Sequence, residues 1–414
     1  MKTIEPIHTI STQQQTRPLV TVCMHVRGSA RTDGRVLREA TALVQQGYAV
    51  TIVDIEQERT RPQEETIDGI TLRHTFPLTR PFLPTLKLWS IFGILHSHLN
   101  NTLQIICRKA DAYHAHDWMA LPACFVASRW HRKPLIFDAH ELPLVELHGS
   151  HWERCLPLFS RLLSWIVPRC KGVITVSPPI AQEIRNRYGA SHVTLVRNVH
   201  RYISVPRRNQ LRESLGLSSE VRIALYQGNL QPDRGLARVV QATSFLNEDI
   251  VIVLMGKAYG DTRSQLEALI EQEHVADRVK IVPPVAYADL LNWTTSADIG
   301  LILYTPEQSL NVQWCLPNKL FEYVMAGLPV LATRLDAVAA LLQQYHIGHI
   351  VPSLSPEAIG TAINTMLADT EELVVMRQNA LRAAQGDLCW EHEQQQLIDL
   401  YAHVLPLLLC DDKH

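Results

Sequence analysis

Short, unbroken apolar runs alternate with stretches of helical periodicity from one end of the chain to the other. Continuous apolar runs suit strands buried on both faces, and their alternation with helices argues for parallel sheets covered on each side. The first run spans 19–26 and the next 48–55. Between them Val36, Leu37, Ala40, Leu43 and Val44 share one face of a helix that Gly47 closes. Further strands are predicted over 112–116, 135–138, 172–176 and 193–196. A second series begins near Arg222 with 223–227, 250–255, 279–282, 299–303 and 329–332. The segment 197–208 between the two series is polar and aperiodic, which marks it as a domain boundary. The last periodic stretch, 391–405, sets Leu397, Ile398, Tyr401 and Leu405 in one stripe.

This pattern divides the chain into a loose tail over 1–17, a first domain over 18–200, a second over 201–386 and a terminal helical segment over 387–414. At 414 residues two cores are the natural expectation. A net charge of −2 gives no argument for a nucleic-acid partner. The eight cysteines are scattered, without a Cys-x-x-Cys pair, as suits free thiols in a reducing cytoplasm. The N-terminus lacks an apolar signal core, and no apolar run is long enough to span a bilayer. Cytoplasmic localisation is expected, with a position at the inner face of the membrane open. Two segments, 82–106 and 156–167, mix Leu, Trp and Phe with basic residues. Each reads either as an interfacial helix or as a core helix of a large domain.

The chemistry concentrates in the second half. In Leu316-Pro317-Asn318-Lys319-Leu320-Phe321-Glu322-Tyr323-Val324-Met325-Ala326-Gly327, a proline opens a short helix and a glycine ends it. Leu320, Phe321 and Val324 share the core face, with Asn318 and Glu322 opposite. Glu322 there is either a solvated surface residue or a carboxylate poised for a diol beside the anion-binding first turn. Upstream, a strand runs through Tyr226-Gln227-Gly228-Asn229 into Asp233-Arg234-Gly235, a glycine turn at which Arg234 suits phosphate. In the first half one strand ends in His114-Ala115-His116-Asp117 and another in Phe137-Asp138-Ala139-His140-Glu141. Gly28, after the first strand, permits close backbone approach to a ligand. The missing Gly-x-Gly-x-x-Gly argues against a dinucleotide cofactor, and the missing Asp-x-Asp pair against a bound metal.

These segments together resemble the retaining glycosyltransferases of family 4, over about 19–405, in a subgroup carrying Pro-Asn-Lys-Leu-Phe-Glu-Tyr in place of the full Glu-x7-Glu motif. The resemblance implies the GT-B fold: two doubly wound Rossmann-like domains facing a central cleft, with a terminal helix crossing back to the first domain. It implies transfer of a sugar from a UDP- or GDP-sugar to a hydroxyl of a glycan, lipid-linked or small-molecule acceptor, in cell-surface glycan assembly and without metal or cofactor. By match, Glu322 binds the donor ribose, Arg234 the pyrophosphate, and His116 faces the anomeric centre; these three are the catalytic candidates. Gly28, Gly228, Asn229, Asn318, Lys319 and Leu320 complete the expected donor site. His140, Glu141, Asp117 and Asn311 are the candidates for acceptor or sugar contact. The chain departs from the family at Asn229, where an Arg is usual, and at Trp314, where the first Glu is usual. Lys319 or Arg197 is then needed as the second pyrophosphate cation. The departures keep a non-catalytic subunit open beside a nucleotide-sugar epimerase and a small-molecule transferase.

Overall fold

The computed structural model describes residues 20–76 and 87–405. The predicted tail, the start of the apolar segment 82–106 and the last nine residues lie outside the described residues. Two sheets form. The first contains β1 (Thr21–Val26), β2 (Ala49–Ile55), β3 (Glu64–Ile67), β4 (Ile70–Thr75), β5 (Ala112–His116), β6 (Leu135–Ala139), β7 (Gly172–Thr175) and β8 (Val193–Leu195). Its order is β3-β4-β2-β1-β5-β6-β7-β8, parallel throughout except for the β3–β4 pair. The second contains β9 (Arg222–Gln227), β10 (Ile250–Met255), β11 (Val279–Val282), β12 (Ile299–Ile302), β13 (Val330–Ala332) and β14 (Gly348–Ile350). Its strands are all parallel, in the order β11-β10-β9-β12-β13-β14.

In both sheets the chain first builds outward on one side of its first strand and then returns to the other side. The reversal falls between β1 and β5 in one sheet and between β9 and β12 in the other. At such a switch point the two outgoing loops diverge and leave a crevice beyond the carboxyl ends of the strands. The loops there begin at Arg27, Asp117, Gly228 and Leu303.

Two features of the fold were not anticipated from the apolar pattern. β3 and β4 form a hairpin whose two-residue turn, Asp68-Gly69, places both residues at positive φ (50° and 81°). Glu64 and Glu65 make β3 too polar to stand out as an apolar run. β14 is only three residues long and half-buried.

The helix Leu156–Ile166 buries Leu163 and Ile166 but leaves Leu158 66% and Trp165 50% exposed. It is thus neither wholly a core helix nor wholly a surface one. The terminal helix, Trp390–Val404, packs on the first domain, with the Tyr401 hydroxyl 2.9 Å from His114 Nδ1 and the Tyr401 ring edge-on to Tyr48. Further ties cross between the domains. Ser177 Oγ donates to the Trp314 carbonyl, and the Asn311 amide both accepts from Leu142 N–H and donates to Glu141.

Candidate active site between the two sheets

A cleft of about 1010 Å³ opens between the two switch points. Its second-domain wall is built around the helix Asn318–Met325. Pro317 opens that helix, and Gly327, at φ 64°, ends it. Leu320, Phe321 and Val324 anchor it in the core. Tyr323 is pinned beneath the sheet: its hydroxyl donates to the Leu225 carbonyl (3.1 Å) and accepts from Gln227 N–H (3.0 Å). A Cβ on Gly300 would sit 2.5 Å from the Tyr323 ring, so only glycine lets helix and strand approach so closely. This packing delivers the neighbouring Glu322 to the cleft. There Glu322 Oε2 accepts from Gln227 Nε2 at 2.5 Å, and Gln227 Oε1 is held by the Thr294 hydroxyl. Burial pushes the Glu322 carboxyl above its usual range, partly offset by the Gln227 bond.

Two cations lie beside it, held by aromatic faces. Lys319 Nζ sits 3.4 Å from the centroid of the Tyr226 ring, and the Arg234 guanidinium 4.6 Å from that of Tyr304. Lys319 Nζ is buried with no hydrogen-bond partner among the described residues. Burial, with Arg234 nearby, holds its amine well below the ordinary lysine range. Among the described residues the polar contacts of the Arg234 guanidinium are a long one to Asp233 (3.6 Å) and one to Gln231 (3.3 Å). Its turn needs Gly235, since φ is 73° and a Cβ there would lie 2.0 Å from the Leu303 carbonyl oxygen. Asn318 and Lys319 also line the cleft, and their N–H groups, in the first turn of the helix, have no intrahelical acceptors.

Of the predicted residues, Gly28, Gly228, Asn229, Arg234, Asn318, Lys319, Glu322, His140, Glu141 and Asn311 line the cleft. Three do not. Leu320 is a core residue whose N–H already donates to the Pro317 carbonyl, so neither its side chain nor its amide is free for a donor. His116 is fully buried under the cleft floor, stacked on His114, with Nδ1 3.2 Å from Asp138 and 3.3 Å from His140. At these two strand ends it is His140 that reaches the cleft. Asp117 sits behind it, its carboxylate 3.6 Å from His140 Nδ1. Asn311 does line the wall, but its amide is spent on Glu141 and Leu142. Arg197 is paired with the buried Glu393 at 2.6 Å, so of the two expected partners for Arg234 it is Lys319 that lines the cleft. Trp314 turns away, its indole N–H donating to Asp336.

Beneath His140 lies a buried charge network that the motifs did not reveal. Arg35 grips both oxygens of Asp138 at 2.8 Å and donates to the Val196 carbonyl. Glu39 lies 3.1 Å from the same guanidinium and 3.8 Å from His114 Nε2. Burial and the Asp138 charge push the Glu39 carboxyl up to about 7. Burial would lower His140, but Asp138 outweighs it and raises the imidazole to about 9, so it is a cation at neutral pH. Glu39, His114, His116 and Asp138 present ligand atoms within 4.8 Å of one another. Arg35 and His140 already match the two carboxylates in charge, so a divalent cation there would stand against two positive neighbours. Tyr226 and Gln227 end β9 and Tyr304 follows β12, whereas Arg35 stands in the first turn of the helix Gly34–Gln45 and His200 on the linker; all five line the cleft, and none is a candidate that the motifs name.

Residues 35–199 match the model for Glycosyltransferase Family 4, and residues 207–383 that for Glycosyl transferases group 1. A D-inositol 3-phosphate glycosyltransferase of Kineococcus radiotolerans is 24% identical over 395 residues, 88% of each chain. Sucrose-phosphate synthase from Thermosynechococcus elongatus superposes with a TM-score of 0.77 at 16% identity, covering 94% of this chain and 99% of that one. The HepE protein of Anabaena, crystallised with UDP, superposes at 0.73 and 16% identity, covering 93% of this chain and all of that one. With both halves matched in sequence and the whole architecture shared, the chain is a family-4 glycosyltransferase of the GT-B fold.

Proposed function

We propose that the protein transfers a glycosyl group, with retention, from a nucleoside-diphosphate sugar, a UDP-sugar in the first instance, to an acceptor hydroxyl. The observation that carries this reading is the convergence of Glu322, Lys319, Arg234 and a free helix N-terminus at one switch point. A carboxylate accepts from ribose hydroxyls, while two cations and two free amides suit the diphosphate. Charge develops on that diphosphate as the bond to the sugar breaks, and groups fixed in advance stabilise it without reorganisation. Arg234 and Lys319 are held by rings rather than by strong carboxylate pairs, so Arg234 brings its charge to the leaving group and the buried Lys319 amine gains its proton as the diphosphate arrives. His140, cationic and across the cleft, takes the role of hydrogen-bond donor to the sugar that the motif suggested for His116. With retention, the acceptor attacks on the face the diphosphate leaves, and a leaving oxygen takes its proton.

The chemistry assigned to these groups calls for no metal. The acceptor is proposed to be membrane-associated or polymeric, as in cell-surface glycan assembly, with the protein at the cytoplasmic face. Support comes from Trp130, Leu158 and Trp165 exposed on the first domain, with Arg169 stacked on Trp165. Calorimetry with UDP and GDP, followed by transfer from the matching sugar nucleotides with chelator present, tests the donor half. Binding and chelator-resistant turnover giving the donor's anomeric configuration are expected. Binding of neither nucleotide would overturn the reading.

A further inference from the structure

His200 lies between the two matched segments, on the linker that joins the domains, yet its side chain reaches the donor wall. The Tyr287 hydroxyl, from the loop after β11, is 2.7 Å from His200 Nδ1. When that hydroxyl donates, the ring proton is placed on Nε2. His200 Nε2 is buried, has no hydrogen-bond partner among the described residues, and lies 3.8 Å from Glu322 Oε1. Glu322 Oε2 is already held by Gln227 from the other side. The backbone fixes this placement too, since the His200 carbonyl accepts from Trp390 N–H at the start of the terminal helix.

We propose that His200 is a positioning residue for Glu322. Its unpartnered Nε2–H faces Oε1 across 3.8 Å and closes on it when donor binds, which holds the carboxylate between two N–H groups with its remaining lone pairs toward a ribose diol. The proposal rests on Glu322 being the ribose ligand. A neutral imidazole is required, and burial together with Arg38 lowers His200 to about 4. Glu322 is otherwise faced by Gln227 from β9, Lys319 on its own helix and Tyr287. None of these offers a proton to Oε1.

Removing the Nε2–H has two separable effects. The carboxylate regains rotational freedom, so discrimination between ribose and deoxyribose falls. It also loses a donor to its charged form, so its pKa, already raised by burial, rises further. Donor binding needs the ionised form and therefore fails at a higher pH on the acid side.

The test is calorimetry of UDP and 2′- and 3′-deoxy-UDP on the full chain between pH 5 and 8. The variants are H200A, H200Q and Y287F, with E322A as reference and thermal melting as the fold control. H200Q places an amide N–H near the Nε2 position. We expect H200A to bind UDP about tenfold more weakly, with compressed ribose discrimination. Its acid limb should move up by about one pH unit. H200Q should recover much of both, and Y287F should move in the direction of H200A. Wild-type discrimination and acid limb in both H200A and Y287F, with E322A defective, would overturn the positioning role alone. If H200A fails to fold, Y287F decides in the same way. Unchanged UDP binding in E322A would overturn the ribose assignment and the proposal with it.

Discussion

Lys319→Met removes an ionisable amine while nearly keeping the shape of the side chain. In the unliganded protein the amine is buried against Tyr226 with no hydrogen-bond partner among the described residues. A buried polar group in that state costs about 1–3 kcal/mol. The variant should therefore be more stable than the parent at neutral pH, by about 1–2 kcal/mol, or about 2–8 °C in the transition of the second domain. The folded-state pKa lies below the ordinary 10.5, so between the two values the unfolded chain binds more protons. Parental stability then rises with pH across that window, and the advantage of the variant shrinks as pH approaches 10.5. Binding moves the other way. A diphosphate restores the ammonium, so loss of its charge-assisted bonds, about 1.5–3 kcal/mol, weakens UDP roughly 10- to 150-fold. Because burial holds the free Lys319 amine well below the ordinary lysine range, UDP binding should be accompanied by proton uptake at pH values between its folded pKa and 10.5. Titrations in two buffers of different ionisation enthalpy measure that uptake directly. A variant that binds UDP as tightly as the parent, or parental binding with no buffer dependence, would refute the reasoning.

His140→Gln should lower turnover at least tenfold with little change in melting temperature. His116→Gln, fully buried, should instead lower the melting temperature by several degrees; steady-state rates and thermal melts on both separate the roles. Gly235→Ala should cost more than about 2 kcal/mol, because a φ of 73° and a backbone oxygen 2.0 Å from the new Cβ act together; urea unfolding reads it, and a loss below about 0.5 kcal/mol would contradict the described turn. Trp165→Ser with Leu158→Ser should reduce binding to vesicles rich in anionic lipid without changing UDP affinity, and unchanged flotation would remove these residues from a membrane surface.

The β-strands of both sheets were legible wherever they are buried on both faces, because such strands are continuous apolar runs. The hairpin at Glu64–Thr75 escaped because its outer strand is polar, although the Asp68-Gly69 pair marked its turn. Gly228, Arg234, Asn318 and Glu322, which line the cleft, were legible from the resemblance to family 4 together with their place in the elements, whereas spacing alone left Glu322 open to being a solvated surface residue. What spacing cannot supply is depth. His116 ends β5 opposite Asp138 and His140 lies one residue beyond the end of β6; Arg35 holds Asp138, and with it His116, beneath the floor while His140 reaches the cleft. Leu320 and Lys319 are neighbours with opposite fates for the same reason: helix phase sends one to the core and the other to the cleft. His200 and Gln227 carry no motif, because their importance comes from partners distant in sequence.

The terminal helix makes the two domains inseparable as pieces of engineering. A cut in the linker would not release two autonomous modules, because residues 390–404 follow the second domain in sequence but complete the first. Leu397 and Tyr401 are fully buried there, and Leu400 fills the space that Gly172 leaves open. A fragment ending near residue 200 would expose that apolar seat, whereas a fragment carrying the second domain would bring along the plug. The two pieces should find each other in a shared solution. Exchanging donor domains between related transferases therefore calls for two crossovers, one on each side of the second domain, so that every first domain keeps the helix that fits it.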